Sequence, residues 1–243
     1  MIIYGIHPVA EALTRRPRAV KRVFATRRRA TDFVASVRAA GVRLESLEGD
    51  ALERLAVSDQ HQGVAADVEP VGLADLDSVI RQARTQGEPL LLMVLDTIQD
   101  PHNFGSLVRT AACCGAHAVI FPRHRAAGIT AVVHKASAGA VEHVSLCRVV
   151  NIAATLQELK RQGIWVAGTL PDARQSLYEF DAVRDLAVVI GSEGAGMRRL
   201  VSRACDIHLA IPMTGGVASL NAAVAGAVVL FEVQRQRLLS RAG

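Results

Sequence analysis

From residue 89 onward the chain repeats one pattern: a short, almost wholly apolar run, then a segment with helical spacing. The apolar runs fall at residues 90–95, 118–121, 144–149, 164–168, 186–190 and 207–211, with helices expected near 104–114, 129–138, 152–161, 197–203 and 220–237. Strands apolar along their whole length are buried on both faces, and regular alternation with helices makes the sheet parallel. A parallel sheet also says where to look for function, because ligands bind beyond the carboxyl ends of its strands.

The first block, residues 1–70, reads as a smaller α/β unit. A helix is expected over 8–14, an apolar stretch at 20–25 and a helix over 31–40 with Thr31 as N-cap and Gly41 as C′ residue. A strand at 42–47, a helix at 50–55 and a strand at 63–68 complete it. Residues 71–88, with Gly72, Gly87 and a polar helix between them, read as a linker, leaving 89–243 as a second domain.

Composition narrows the class. Half of the 243 residues are hydrophobic, which excludes long disorder, and the longest apolar run near the C-terminus, 222–231, is too short to span a bilayer. No basic segment precedes an apolar one at the start, so the reading is a cytoplasmic protein without a membrane partner. Cys113, Cys114, Cys147 and Cys205 form no Cys-x-x-Cys and have no histidine at ligand spacing; buried reduced thiols are expected, with no metal. The net charge of +5 is modest, but eight basic residues and no acid lie between Arg15 and Arg29. Such a run is either a solvated face or a phosphate-contacting patch that includes Arg27, Arg28 and Arg29. Aromatic residues, at 4%, are too sparse for base-stacking platforms.

Three strand ends carry unusual segments: Asp96-Thr-Ile-Gln-Asp100-Pro101-His102-Asn103 through Arg109, Gly191-Ser192-Glu193-Gly194-Ala195-Gly196, and Pro212-Met213 through Ser219-Leu220-Asn221. Taken singly they could be a helix cap, a tight loop and another cap. The glycine run matches neither the dinucleotide fingerprint nor the phosphate-loop pattern. Together, at strand ends of one sheet, they resemble the three motifs of the TrmH-type (SpoU) RNA ribose 2′-O-methyltransferases of the SPOUT superfamily, in order and spacing over residues 89–237. The first block, with Tyr4-Gly5-Ile6-His7 and His61-Gln62-Gly63-Val64, resembles the small ribosomal-protein-like RNA-binding domain of the family's rRNA-directed branch, and the likeness is greatest to bacterial 23S rRNA guanosine-2′-O-methyltransferases.

The resemblance implies S-adenosyl-L-methionine as cofactor, a C-terminal trefoil knot, a homodimer and 23S rRNA as substrate. It implies that Thr169, Gly191, Gly196, Ile211 and Leu220 surround the cofactor, and that Arg109 is the catalytic arginine, fixed with the substrate by Asn103, Glu193, Ser219 and Asn221. An arginine is almost never deprotonated, so Arg109 is read as orienting phosphate and hydroxyl and stabilising oxyanion character. Gly191, Gly194 and Gly196 are expected to let backbone approach the ligand. His102, the only histidine near the motifs that could accept a proton, is read as a turn residue in preference to a catalytic one. Arg123, Arg125 and Lys135, after the second strand of the sheet, are candidates for meeting RNA phosphates. The final helix is apolar nearly all round until Glu232, so one side should cover its own sheet and another, lined with small residues, a second subunit. The alternatives are a non-catalytic RNA-binding or ribosome-assembly module, a nucleotide-binding oxidoreductase, disfavoured by the missing fingerprint, and a tRNA methyltransferase, disfavoured by the separate first domain.

Overall fold

A computed structural model describes residues 1–216 and 219–242. In chain order the elements are β1 (Ile2–Tyr4), α1 (Ile6–Arg15), β2 (Val20–Ala25), α2 (Arg27–Ala40), β3 (Arg43–Ser46), α3 (Gly49–Ala56), β4 (Val64–Val68), α4 (Leu76–Thr85), β5 (Leu91–Asp96), α5 (Pro101–Cys113), β6 (Ala118–Pro122), α6 (Ala131–Ala136), β7 (Ser145–Val149), α7 (Ile152–Arg161), β8 (Trp165–Thr169), β9 (Gln175–Ser176), β10 (Leu186–Gly191), α8 (Arg199–Ala204), β11 (Ile207–Ala210) and α9 (Ala222–Ala242). They form two units, one of residues 1–72 and 128–143, the other of 73–127 and 144–243.

The first unit is a four-stranded sheet in the order β1-β4-β2-β3, antiparallel except for the β2/β3 pair. One core contains Ile3, Val9, Leu13, Val23, Phe33 and Val37; another joins Tyr4, Phe24, Ala65 and Leu52 of α3. Helix α2 starts four residues before the expected Thr31. Thr26 is its N-cap, its carbonyl accepting from the Arg29 and Ala30 amides, and the Thr31 hydroxyl donates to the Arg28 carbonyl inside the helix. Arginine is a good helix former and nothing at 27–30 breaks the helix, so Arg27–Arg29 lie in its first turn. Gly41 ends it with φ 66°, as expected.

Residues 128–143, between β6 and β7 in sequence, pack with this first unit. The Arg16 guanidinium donates to both carboxylate oxygens of Glu142, whose side chain is only 1% exposed, at 2.5 and 2.9 Å. Glu11 meets His143 at 2.6 Å, and Lys135 donates to Gln62 Oε1 at 2.7 Å. Arg16, part of the basic run, is thereby a structural residue; hydrogen bonding to Glu142 raises its pKa.

The second unit is a seven-stranded parallel sheet in the order β7-β6-β5-β10-β8-β11-β9. The six apolar runs are six of these strands, and the two-residue β9 is added at one edge. Alternate strand residues serve opposite faces. Leu92, Val94, Ile120, Ala187 and Val189 pack with α4, α7 and α8. On the other face Gly226 of α9 comes so close to α5 and the sheet that a Cβ would lie 2.3 Å from Leu107 and 3.7 Å from Ile190 and Met93. Phe104 of α5 meets Phe121 edge-on at 5.2 Å. The segment expected as a linker contains α4, whose Ile80 and Ala83 are buried in this core; its apolar residues at 76, 79, 80 and 83 line one side of the helix. Asp75 caps it through the Ser78 amide.

Candidate active site

The strand order reverses between β5 and β10, which lead to opposite edges of the sheet. At such a switch point the carboxyl ends of two neighbouring strands open a crevice. Register aligns Asp96, the last residue of β5, with Gly191, the last of β10. The three unusual segments all converge there.

Asp100 is the N-cap of α5, its carboxylate accepting from the His102 and Asn103 amides, with Pro101 at the first helical position. The cap fixes Asn103 in the first turn, where its side chain reaches the second segment: Nδ2 donates to Glu193 Oε1 at 3.0 Å. The third segment closes the cluster. Asn221 Nδ2 donates to Asn103 Oδ1 at 3.1 Å and to Glu193 Oε1, while Asn221 Oδ1 accepts from the Ala223 and Val224 amides and so caps α9. Glu193 Oε1 also accepts from the Ala222 amide. Capping and site-building are therefore the same bonds.

The glycine loop folds back on itself. Ser192 and Gly196 exchange backbone hydrogen bonds of 3.1 and 2.9 Å. A Cβ on Gly191 would sit 2.4 Å from the Gly196 carbonyl carbon and the Met197 nitrogen, and Gly194 and Gly196 have φ of 74° and 64°. A Cβ at Gly191 is thus excluded by the loop's own closure, and Gly194 and Gly196 supply its left-handed turns. An ion pair that the sequence reading missed anchors the loop. Asp96, fully buried, accepts from the Arg198 amide at 2.8 Å and from its guanidinium at 2.6 and 2.7 Å. Its signal was an acid directly ending a buried apolar strand, where it needs a partner.

Beside this loop lies a cavity of about 500 Å³. Thr169, Gly191, Gly196, Ile211 and Leu220, the five expected cofactor residues, all line it, together with Glu193, Ser219 and Asn221. Ile190, Leu209 and Met213 extend the apolar wall. The Thr169 hydroxyl donates to the Val189 carbonyl at 3.1 Å. Ser219 is exposed and makes no hydrogen bond among the described residues.

Arg109 does not join the cluster. It is exposed, and among the described residues it has no ion pair or side-chain hydrogen bond, so the expectation that Asn103, Glu193, Ser219 and Asn221 hold it is not met within the chain. Six residues of helix turn through about 240°, which sends Arg109 and Asn103 to different sides of α5. His102, Ser106, Arg109 and Cys113 share its exposed stripe. Arg123 and Arg125 are exposed just past the carboxyl end of β6, the strand beside β5. Arg27 and Arg28 are exposed without an acid partner among the described residues, whereas Arg29 pairs with Asp32 at 3.0 Å. Lys135 belongs to the other unit from Arg123 and Arg125.

Among the described residues no group of three or more His, Cys, Asp or Glu is placed to hold a metal ion, and no helix is long and apolar enough to cross a membrane. Burial raises the thiols of Cys114 and Cys147 to about 11 and that of Cys205 to about 12.

A switch-point cavity with a preorganised amide–carboxylate cluster at its rim, in a chain carrying a second, separately cored α/β unit, defines a small-ligand-dependent enzyme with an accessory binding domain. The SpoU rRNA Methylase family signature matches residues 90–231, and that of the RNA 2′-O ribose methyltransferase substrate-binding domain matches residues 2–73. The 23S rRNA (guanosine-2′-O-)-methyltransferase RlmB of Ralstonia nicotianae is 44% identical over 97% of this chain and 96% of that protein. The putative TrmH family tRNA/rRNA methyltransferase YacO of Bacillus subtilis is 45% identical over 81% of this chain and 79% of its own. Among solved structures, the SpoU methyltransferase AviRb of Streptomyces viridochromogenes in complex with AdoMet superposes with a TM-score of 0.80, at 26% identity, over 98% of this chain and 90% of that one. The chain belongs to the SpoU rRNA methylase family.

Proposed function

We propose that this protein transfers the methyl group of S-adenosyl-L-methionine to the 2′-hydroxyl of a guanosine ribose in 23S rRNA. The observation that carries the reading is the meeting of Asn103, Glu193 and Asn221, from three separate segments, at the rim of a cavity lined by Thr169, Gly191, Gly196, Ile211 and Leu220. The near full-length likeness to the Ralstonia protein supports the 23S target.

The cavity fits the cofactor in size and character. Its volume lies in the range of small-molecule sites, and apolar Ile190, Leu209, Ile211 and Leu220 suit an adenine ring. Bound there, the cofactor supplies a methyl group on a sulfonium that needs no metal. The chain's part is positioning, since in-line approach of a held hydroxyl supplies much of the rate. Glu193 Oε1 is occupied by Asn103, Asn221 and the Ala222 amide; Oε2, without a partner among the described residues, is the oxygen left for the substrate hydroxyl. Arg109 neutralises the phosphate beside the reacting ribose and stabilises charge developing on its oxygen. Arg27, Arg28, Arg123, Arg125 and Lys135 meet RNA phosphates, while Arg29 is held by Asp32. A C-terminal trefoil knot is part of the reading, supported by the place of Ile211, Met213 and Ser219–Asn221 beside the Gly191–Gly196 loop. The enzyme works in the cytoplasm.

It also works as a homodimer. Helix α9 buries Ala222, Ala223, Gly226, Val229, Leu230 and Val233 in its own chain and leaves Val224, Phe231 and Leu238 exposed along one stripe. Small residues on α9 thus serve its own α5, as Gly226 against Leu107 shows, and the exposed apolar stripe is the side left for a second subunit. Light scattering on the full chain gives the mass of two chains, and Phe231→Glu with Val224→Glu gives one; a wild-type mass of one chain overturns the dimer.

The activity is tested with the full chain, methyl-labelled S-adenosylmethionine, and unmodified 23S rRNA and tRNA transcripts. Label in an alkali-resistant dinucleotide of 23S rRNA that begins with guanosine is the expected result. Label in tRNA alone, on a base, or nowhere overturns it.

A further inference from the structure

The two motifs of the first block, Tyr4-Gly5-Ile6-His7 and His61-Gln62-Gly63-Val64, take no part in the cavity, yet both contain backbone at positive φ. Gly5 has φ 101° and Gly63 φ 80°, and between them Gln62 holds φ 55°, left-handed without being glycine. Strain of this kind persists where the surroundings over-determine it, and it gathers at functional sites. Here the surroundings bring the two motifs together. The Gly5 amide donates to the Val64 carbonyl at 3.0 Å, and Gln62 Oε1 accepts from the Ile6 amide at 3.2 Å.

The third participant comes from far along the sequence. Lys135, on the α6 segment of the same unit, lays its stem over Gly5 so closely that a Cβ there would lie 2.7 Å from Nζ. Its ammonium donates to Gln62 Oε1 at 2.7 Å, and no carboxylate lies within ion-pair distance among the described residues. An ammonium has three donors, of which Gln62 takes one. Partial burial without a counter-charge is costly, and it lowers the Lys135 pKa. A structural clasp would be served better by a carboxylate at position 62, as Glu142 serves Arg16 in the same unit. The amide holds the cation without neutralising it.

The far side of the loop is basic as well. Gly63 packs against the Arg29 stem, where a Cβ would be 2.8 Å away, and its amide donates to His61 Nδ1 at 2.9 Å. A ring nitrogen that accepts is unprotonated, so His61 carries its proton on Nε2, a donor. Exposed Arg27 and Arg28 begin the adjoining helix.

The geometry points to a phosphate-binding site of the RNA backbone formed by Lys135 and the His61–Gln62–Gly63 loop, with Arg27 and Arg28 on its flank. This rests on the reading of the protein as an RNA methyltransferase and extends it: the substrate-binding signature ends at residue 73, and the site is completed by a residue inserted between β6 and β7. Gln62 is a positioning residue; Lys135 and His61 touch the RNA.

Three variants of the full chain test it, with binding to a 23S rRNA transcript measured between 50 and 200 mM KCl. Lys135→Met keeps the apolar stem and removes the charge. Its log–log salt slope falls by about 0.7–0.9, which over that range makes the salt effect about threefold smaller. Lys135→Arg restores the slope. Gln62→Glu pairs Lys135 with a carboxylate and withdraws it from phosphate, so RNA binding weakens while resistance to denaturant holds or rises. S-adenosylmethionine affinity stays unchanged in all three. A wild-type slope in both Lys135→Met and Gln62→Glu overturns the site, leaving Lys135 as a clasp. A wild-type protein that methylates and binds no rRNA sinks the broader reading instead.

Discussion

The two units treat polar side chains in opposite ways. At the carboxyl edge of the parallel sheet they are spent on one another: Asn103, Glu193 and Asn221 form a closed cluster, and buried Asp96 is paired with Arg198. In the first unit some polar groups are left incomplete. Lys135 has no counter-charge among the described residues, Arg27 and Arg28 have no acid partner there, and both ring nitrogens of buried His134 lack a hydrogen bond. Chemistry needs groups held within a fraction of an ångström, which mutual bonding provides. Binding a long polyanion needs unneutralised charge, which mutual bonding would remove. Arg109, like Arg123 and Arg125, is an exception in the second unit, exposed and without a partner among the described residues, as are Arg27 and Arg28 of the first.

That exception gives the largest expected effect. Arg109→Ala removes charge stabilisation in the transition state, worth about 3–4 kcal/mol, so turnover falls by a factor on the order of 10²–10³. S-adenosylmethionine affinity, measured by calorimetry, is unchanged, because Arg109 lines neither the cavity nor the cluster. Retention of more than a tenth of wild-type turnover would place Arg109 with the solvated charges. Gly191→Ala is the contrasting variant. Its Cβ meets backbone at 2.4 Å, so the loop opens and cofactor binding is lost together with turnover.

The parallel sheet was legible because strands apolar on both faces have few other readings, and it located the site without any contact information. The Asn103–Glu193–Asn221 meeting was legible only as three coincident strand ends; nothing in residue spacing says that one carboxylate oxygen serves all three segments. What escaped had local causes. The extent of α2 was hidden because Thr31 is a good cap that the helix does not need. Helix α4 was taken for a linker because its buried face holds only Ile80 and Ala83 at full depth among polar neighbours. The membership of residues 128–143 in the first unit depends on the pairs Arg16–Glu142, Glu11–His143 and Gln62–Lys135, each spanning more than seventy positions, and pattern within a window cannot see them.

The incompleteness of the first unit has a stability consequence. Burial lowers the His134 pKa to about 4, outweighing the attraction of Glu142 and reinforced by Arg16 and the N-terminal ammonium. The folded value lies below the usual 6.5, so between pH 6.5 and 4 the unfolded chain binds the extra proton and stability falls as pH falls. From pH 7.5 to pH 5 the loss is about 2 kcal/mol. His134→Leu removes both unpaired nitrogens and this dependence, so urea unfolding of the first unit should differ from wild type by about 2 kcal/mol more at pH 5 than at pH 7.5. Parallel pH profiles would mean that the imidazole is protonated as readily inside as out.

The smallest effect concerns the helix start. Arg27, Arg28 and Arg29 all occupy the first turn of α2, where three cations oppose the helix dipole, each at a cost of about 0.3–1 kcal/mol. Reversal to glutamate should therefore leave the first unit as stable or slightly more so. Arg29 is already paired with Asp32, so only Arg27 and Arg28 are expected to release counterions, and the salt slope for 23S rRNA should fall by about two contacts' worth, about 1.4–1.8, rather than three. The sequence alone, with an unbroken triplet, suggests three. A fall of about 2.1–2.7 would show that Arg29 leaves Asp32 for phosphate, and an unchanged slope would return the whole triplet to solvent. Stability and RNA affinity moving in opposite directions is the mark of charges placed for a partner, and it is the outcome that separates the first unit from the self-satisfied edge of the second.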